Sequence, residues 1–404
     1  MTAFGIFWGM LMLVILIGLG MGFNNGLIAT LKTLPTNSIF YFTGRTSMAY
    51  KGFAKGRYWT LENKDLEILQ KRFAGKIERL VPSNQIGEMR CSYGEYSGSY
   101  SVMGTTDGYY NSIPQTLLYG RFINEIDQKE RRKVCVIGKK IYETLFKANG
   151  DPCGKIVKVG DLYYTIVGVT KETSGMINFG SSTNETVHIP ISTMQTTYGQ
   201  GDNIYLLITT LKDNCPAEVW QEKIDEVMKE IHYIHPDDKQ ALNSINLAEM
   251  IKQFDLLFVG IYILIWIIGA GTLFAGLVGV SNIMLVTVKE RTQEIGIRRA
   301  IGASPAKILS QIMSESVVIT VVSGVVGIIL GVWIHVVLGK ITEGATSMEN
   351  GSSGVEISAF SDPQIPFSVA VISFLILVIG GFLAGLMPAK RAMDIKAIDA
   401  LRDE

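Results

Sequence analysis

Charge is scarce in this chain. Asp, Glu, Lys and Arg make up 18% of its 404 residues, against a usual share near 25%. The two signs cancel at 37 basic and 37 acidic side chains, so net charge points to no nucleic-acid partner. Signatures of chemistry are also lacking. There is no Walker A motif, no HExxH, no GxSxG and no CxxC, which argues against bound nucleotide, a zinc protease, an esterase and a dithiol oxidoreductase. Only four histidines are present. His232 and His235 stand near Asp237 and Asp238, but without a third ligand at a recognised spacing they read as a solvated helix end and not a metal site. No catalytic residue, metal site or cofactor is expected on this chain.

What is abundant is apolar. The hydrophobic fraction is 48% and the mean hydropathy +0.26, concentrated in four runs near Phe4–Phe23, Leu256–Leu285, Ile312–Leu338 and Phe367–Met387. Each can cross a hydrocarbon core, which takes roughly 20 helical residues. Their middles carry no Asp, Glu, Lys or Arg. Ion and proton paths usually need such groups at mid-depth, so a substrate route through these helices is disfavoured. His335 reads as interfacial, near the outer end of the third run. Gly269, Gly271, Gly276 and Gly279 in the second run, and Gly324, Gly327 and Gly331 in the third, allow close helix approach, either within one bundle or across a dimer.

Lysine and arginine set the orientation. Lys289, Arg291, Arg298, Arg299 and Lys307 follow the second run, and Lys390, Arg391, Lys396 and Arg402 follow the fourth, while 339–366 carries only Lys340. Both basic segments and the N-terminus are therefore expected in the cytoplasm, with about 24–255 outside. The first run could instead be a secretory signal. It lacks a basic leading region and GLGMGFNNG is a poor cleavage site, so an uncleaved anchor is favoured. The missing basic flank before Thr2 reads as a start slightly inside a longer N-terminus. Cys91, Cys135, Cys153 and Cys215 all fall in the outer segment, where two disulfides or four free thiols are both open.

That segment reads α+β. NSIFYF and KIERLVPS are strands around a helix faced by Leu66, Leu69 and Phe73; NIYLLITTL is a strand before a helix striped by Trp220, Ile224, Val227, Met228 and Ile231. These pieces look like halves of one βαβ-type domain. Between them lies a β-richer insertion, in which 94–108 reads as loop or irregular strand, Lys133–Gly138 as strand, Lys139–Phe146 as helix, and KIVKV and LYYTIVGV as a hairpin about Gly160–Asp161. Ser174–Asn184 and Thr342–Pro366 read as mobile, and Lys390–Leu401 as a short amphipathic helix.

The densest charge lies in VKERTQEIGIRRAIGASPAK, 288–307, between two membrane runs. Glu290, Glu294 and Arg298 follow at helical spacing, with acid before base in the second pair. Gly302 supplies a helix stop, and Ser304–Pro305 reads as an N-cap and first-turn proline. A membrane helix thus runs into water, breaks and restarts. It is a rigid elbow suited to transmitting force, or a solvated loop whose bases only fix topology.

KERTQEIGIRRAIGAS closely resembles the signature of the MacB-type permeases of ABC transporters, a superfamily that includes lipoprotein-release and cell-division permeases. The ending PAKRAMDIKAIDALRDE, the stretches LLYGRFINEIDQ and VCVIGKKIYETLFKANGDPCGKIVKVGDLYYTIVGVTKE, and the opening span resemble the same family. The resemblance implies a membrane protein of four helices plus a large α+β extracytoplasmic domain, with a porter-like split βαβ part and an inserted sabre-like part. The expected parts are helix 1 (1–24), porter first half (25–84), sabre insertion (85–200), porter second half (201–255), helix 2 (256–288), coupling loop (289–307), helix 3 (308–339), outer loop (340–366), helix 4 (367–388) and cytoplasmic tail (389–404). It implies a homodimer in the inner membrane that works by mechanotransmission, with ATP and Mg on a separate ABC ATPase. A periplasmic adaptor and an outer-membrane channel are further possible partners, and lipid surrounds the spans. The ATPase-coupling residues carried over are Glu290, Arg291, Glu294, Ile295, Gly296, Arg298, Arg299, Ala300 and Gly302. Efflux of a drug, peptide or envelope substrate is the first reading. Lipoprotein release is the alternative, and a membrane-anchored sensor or hydrolase regulator a remote one.

Overall fold

A computed structural model describes residues 2–32, 34–113, 115–173, 182–347 and 367–394. Helix α1 (Thr2–Lys32) leads to β1 (Ser38–Thr43), β2 (Leu61–Glu62), α2 (Asn63–Arg72), β3 (Ile77–Tyr93) and β4 (Tyr96–Thr105). Then come α3 (Gly108–Ser112), β5 (Gln115–Gly120), α4 (Glu125–Lys129), β6 (Val134–Gly138), α5 (Lys139–Phe146), β7 (Ile156–Val159) and β8 (Leu162–Glu172). Strand β9 (Thr186–Pro190), α6 (Ile191–Thr197), β10 (Asn203–Ile204), β11 (Leu206–Leu211), α7 (Ala217–Ile231) and β12 (Leu242–Asn246) complete the β-rich part. The chain ends in α8 (Leu247–Glu290), α9 (Thr292–Ala300), α10 (Pro305–Ser347) and α11 (Phe367–Asp394).

These elements form two compact units, one helical and one β-rich, and α1 and α8 supply residues to both. Among the described residues four helices are long and apolar enough to cross a membrane, at Ala3–Ile28, Leu247–Glu290, Pro305–Lys340 and Val371–Met393. Glycines let them approach: a Cβ on Gly276 would sit 2.9 Å from the Ile6 nitrogen, and one on Gly327 2.8 Å from the Phe7 carbonyl. Gly269, Gly324 and Gly331 likewise meet side chains of neighbouring helices, whereas Gly271 and Gly279 face open space. His335 packs against α1 within the bundle. It is 2% exposed, and its Nε2 lies 3.2 Å from the Val14 carbonyl. A Cβ on Gly18 would fall 2.2 Å from the same nitrogen, so that glycine makes the socket for the ring.

In the β-rich unit two βαβ halves interleave. The order β12-β1-β11-β3 is antiparallel throughout, with α2 and α7 as the crossings. Tyr41, Leu61, Leu69, Leu207, Ile224 and Met228 pack between sheet and helices. Strand β3 has 17 residues and serves twice: Ile77–Ser83 pairs with β11, while Asn84–Tyr93 pairs with β4. Onward pairings β4-β9-β6-β8-β7, and β7 back to β3, close a ring around Val102, Cys135, Ile137, Tyr164, Ile166 and Val187.

The Gly/Ser/Tyr-rich stretch is more regular than its composition suggests. Strand β4 is ten residues long, with Tyr100 and Val102 directed into the ring core. Gly98 lies beneath the Tyr100 ring, where a Cβ would approach the hydroxyl to 2.6 Å, so the tyrosine covers the gap that a strand glycine leaves. All four cysteines are free thiols, and burial pushes Cys91 up to about 12. The expected outer loop begins later than position 340, because α10 continues to Ser347. The readings for 174–181, 348–366 and 395–404 lie outside the described residues.

Candidate coupling hairpin

Residues 289–307 join α8 to α10 within the helical unit. Two breaks shape them. The first, at Arg291, has neither glycine nor proline. Thr292 Oγ1 donates to the carbonyls of Lys289 (2.7 Å) and Val288 (3.2 Å), and such back-bonding bends a helix. The second break is Gly302, at φ +98°. Its N–H donates to the Arg299 carbonyl and that of Ala303 to the Arg298 carbonyl, both at 3.0 Å. This paired closure is the Schellman stop, in which glycine takes the positive φ without a Cβ clash.

The arginines turn back onto the hairpin's own unit. Arg298 Nη1 donates to Gln311 Oε1 at 2.9 Å and does not pair with Glu294, as the four-residue spacing suggests. Arg299 Nη1 donates to the Met393 carbonyl at 2.7 Å. Arg291 lies 3.5 Å from Glu315. Ile295 and Gly296 are buried, with Ile295 packed into the cluster of Met284, Val288, Ile308 and Ile312. Glu290, Glu294, Ala300 and Gly302 are exposed. The cleft beside Ile295, Arg291 and Arg298 encloses only about 60 Å³, room for about two waters.

The outward face presents two residues that spacing alone did not single out: Ile297 is 43% and Ile301 82% exposed. They are one helical turn apart and form an apolar pair beside Glu290 and Glu294. Periodicity shows that Ile297 and Ile301 share a face; which face looks outward depends on the two breaks.

The other sequence-derived grouping is divided: His235 stays beside Asp237, at 3.8 Å, while His232 and the Asp238 carboxylate turn to other partners. His232 Nε2 lies 2.8 Å from Asp65 Oδ2, and Asp238 accepts from the backbone N–H groups of Ser47 and Met48 at 2.7 and 3.1 Å. Among the described residues no cluster of three or more His, Cys, Asp or Glu is arranged to hold a metal.

Two family models match the chain: a MacB-like periplasmic core domain over residues 1–227 and an FtsX-like permease C-terminal domain over residues 255–397. A macrolide export ATP-binding/permease protein of Bdellovibrio bacteriovorus is 26% identical over 408 residues, covering 100% of this chain and 59% of that protein. A pyoverdine export ATP-binding/permease protein of Pseudomonas syringae pv. syringae is 28% identical over 410 residues, covering 100% of this chain and 57% of that protein. The chain thus spans less than two thirds of the length of these relatives. The crystal structure of the periplasmic region of a MacB from Actinobacillus actinomycetemcomitans covers 57% of this chain and 97% of its own, at 18% identity and a TM-score of 0.46.

Proposed function

The chain belongs to the family defined by the MacB-like periplasmic core domain, whose model spans residues 1–227, and from that membership we propose that it is the permease of an ABC transporter. In this reading it converts motion of an ABC ATPase into a change in its periplasmic domain. The observation that carries the reading is the rigid hairpin 289–307, fixed at both breaks and continuous with α8, a helix of 44 residues that also supplies residues to the β-rich unit. At 1.5 Å per residue α8 is about 66 Å long, roughly twice a hydrocarbon core. A displacement of the hairpin has a single stiff element to travel along.

The mechanism follows from the side chains. Ile297 and Ile301 form the contact with the ATPase, and Glu290 and Glu294 form its charged rim. Arg291, Arg298 and Arg299 keep the hairpin stiff by bonding within the helical unit. Ile295 and Gly296 anchor its inner face. ATP and Mg belong to the ATPase, and the permease contributes no reacting group. Four apolar helices with a MacB-like periplasmic core fit an inner-membrane protein; the termini and the hairpin are assigned to the cytoplasmic side by their lysines and arginines. Gly271 and Gly279, with Ala275 between them at four-residue spacing, leave a stripe of small residues facing out of the bundle, which suits a homodimer contact.

Export of a small molecule or peptide through a periplasmic adaptor and an outer-membrane channel is the preferred cargo reading, because both export proteins above match along the whole of this chain. The test is co-purification with a co-expressed ABC ATPase from the same genome. The native pair should stay together and hydrolyse ATP in a permease-dependent way. A native chain that neither retains the ATPase nor alters its turnover would end the proposal.

A further inference from the structure

Residues 44–60, between β1 and β2, read GRTSMAYKGFAKGRYWT. The stretch holds Arg45, Lys51, Lys55 and Arg57 and no acid. Among the described residues none of these four cations forms an ion pair, although lysines and arginines elsewhere in the unit do. Three of them lie on rings instead. The Arg45 guanidinium is 3.9 Å from the Tyr58 centroid and that of Arg57 4.2 Å from Phe53. Lys51 is 5.4 Å from Tyr50 and 5.6 Å from Tyr233. Arg57 also donates through Nη2 to the His232 carbonyl, while its Nε is buried without a partner. Between the cations stand exposed apolar groups: Tyr58 at 68%, Tyr233 at 51%, Met48 at 42% and Phe53 at 41%.

The surface is held in shape before anything binds. Asp238 accepts from the Ser47 and Met48 N–H groups, the Ser47 hydroxyl, and the N–H groups of Gln240 and Ala241. Trp59 Nε1 donates to the Ala241 carbonyl at 2.7 Å. Tyr50 and Phe53 exchange both backbone bonds, with Lys51 at φ +46° and Gly52 at +86° between them. That is a two-residue hairpin of the type whose twist suits it. Apolar rings and unpaired cations on a fixed turn lose little entropy on binding.

We propose that this hairpin docks an extended acidic segment of a partner polypeptide. Arg45, held over the Tyr58 ring and in no ion pair, can present its N–H donors to a carboxylate in bidentate fashion. The exposed rings supply the apolar contact that simple charge attraction lacks. Carboxylates and apolar side chains alternating along one extended segment match the cations and rings together, which favours a polypeptide over lipid. Thr43 pairs with Leu242 at the hairpin end of the sheet, and Ile39 pairs with Asn246 at the other end, where α8 begins. The apolar helix therefore joins this unit roughly 15 Å of strand away from the hairpin. The inference rests on this unit's surface alone and does not depend on the coupling reading.

The test uses the full chain in phosphatidylcholine nanodiscs and a fluorescein-labelled peptide of alternating glutamate and leucine, read by anisotropy. The glutamate peptide should bind, more tightly at low salt, and its glutamine counterpart should not. Arg45→Glu with Lys51→Glu and Lys55→Glu should weaken binding about tenfold or more. Phe53→Ser with Tyr58→Ser should weaken it about threefold to tenfold. Lys147→Glu with Lys155→Glu, elsewhere on the unit, should leave it unchanged. Thermal unfolding of each variant checks that it is folded. The proposal is overturned by no binding of the glutamate peptide, by equal binding to the charge-reversed hairpin, or by an equal loss from the distant lysine pair. Phosphatidylglycerol vesicles captured through the hairpin without any peptide binding would also overturn it, in favour of a lipid surface.

Discussion

Two charged turns of this protein use the same residue types in opposite ways. In 289–307 the arginines are spent internally, on Gln311, the Met393 carbonyl and Glu315, and aliphatic side chains face outward. In 44–60 three of the four cations lie on rings, none in an ion pair, and the internal fastening falls to one acid, Asp238. The first turn is built to be stiff and to present a small apolar face. The second is equally fixed but leaves its charge unsatisfied. The lesson is that a run of lysine and arginine says little about recognition until the partners of each cation are known. Surface charge pairs contribute little to stability, so the contrast matters most for what each turn can meet.

The comparison can be broken most severely at Ile297 and Ile301. Ile297→Asp with Ile301→Asp should reduce permease-dependent ATP hydrolysis by ~100-fold, as expected when two central contact residues of an interface are lost, while unfolding of the chain is unchanged. Activity retained in that double variant would mean that the outward face is not the contact. Next in size is Asp238→Ala. It strips one acceptor from five donors and should cost about 2–4 kcal/mol in the β-rich unit by chemical unfolding, together with loss of acidic-peptide binding. An unchanged midpoint would show that Trp59 and the backbone bonds hold the turn unaided.

The third contrast is in pH. Burial alone would raise the Asp238 carboxyl, but hydrogen bonds from the Ser47 hydroxyl and from the Gln240, Ser47 and Met48 N–H groups outweigh it and hold it below the ordinary carboxylate range. A carboxyl depressed on folding adds stability above its unfolded value near 4, and that stability is lost as pH falls through the folded value. Acid should therefore loosen 44–60 in hydrogen exchange while leaving the Arg298–Gln311 and Arg299–Met393 bonds of 289–307 intact, since neither of those acceptors is a carboxylate. Equal loosening of both turns would remove the distinction. The smallest effect is expected for Gly302→Ala, which forces a Cβ into positive φ and should cost about 1–2 kcal/mol, read as faster exchange at Ala303.

Much of this was legible from sequence. Four apolar runs gave four helices, and the placement of β1, α2, β11 and α7 followed from alternation and helical stripes. The glycine stop at 302 was visible because only one residue type serves there well. Three features were not. The break at Arg291 comes from a threonine hydroxyl competing for carbonyls, and threonine occurs inside many unbroken helices. The regularity of β4 depends on Tyr100 lying over Gly98, a contact within the strand that composition disguises as loop. His335 is buried because Gly18, more than three hundred residues earlier, leaves it a socket. The outward direction of Ile297 and Ile301 was hidden for a related reason: spacing groups residues on a face but does not say what that face meets.

Strand β3 has an implication for how the β-rich unit can deform. One uninterrupted length of backbone is a rib of both the four-stranded sheet and the closed ring, so neither can slide past the other without tearing a ladder. Its ladder with β4 slips register between Gln85 and Glu88, where Gly87 sits at φ +76° with no atom near its missing Cβ, and its ladder with β11 slips once more at the strand's start, opposite Leu211. The slip at Gly87 lies just past the point where β3 passes from sheet to ring, so it is a wrist between the two, and a bulky substitution there would splint it.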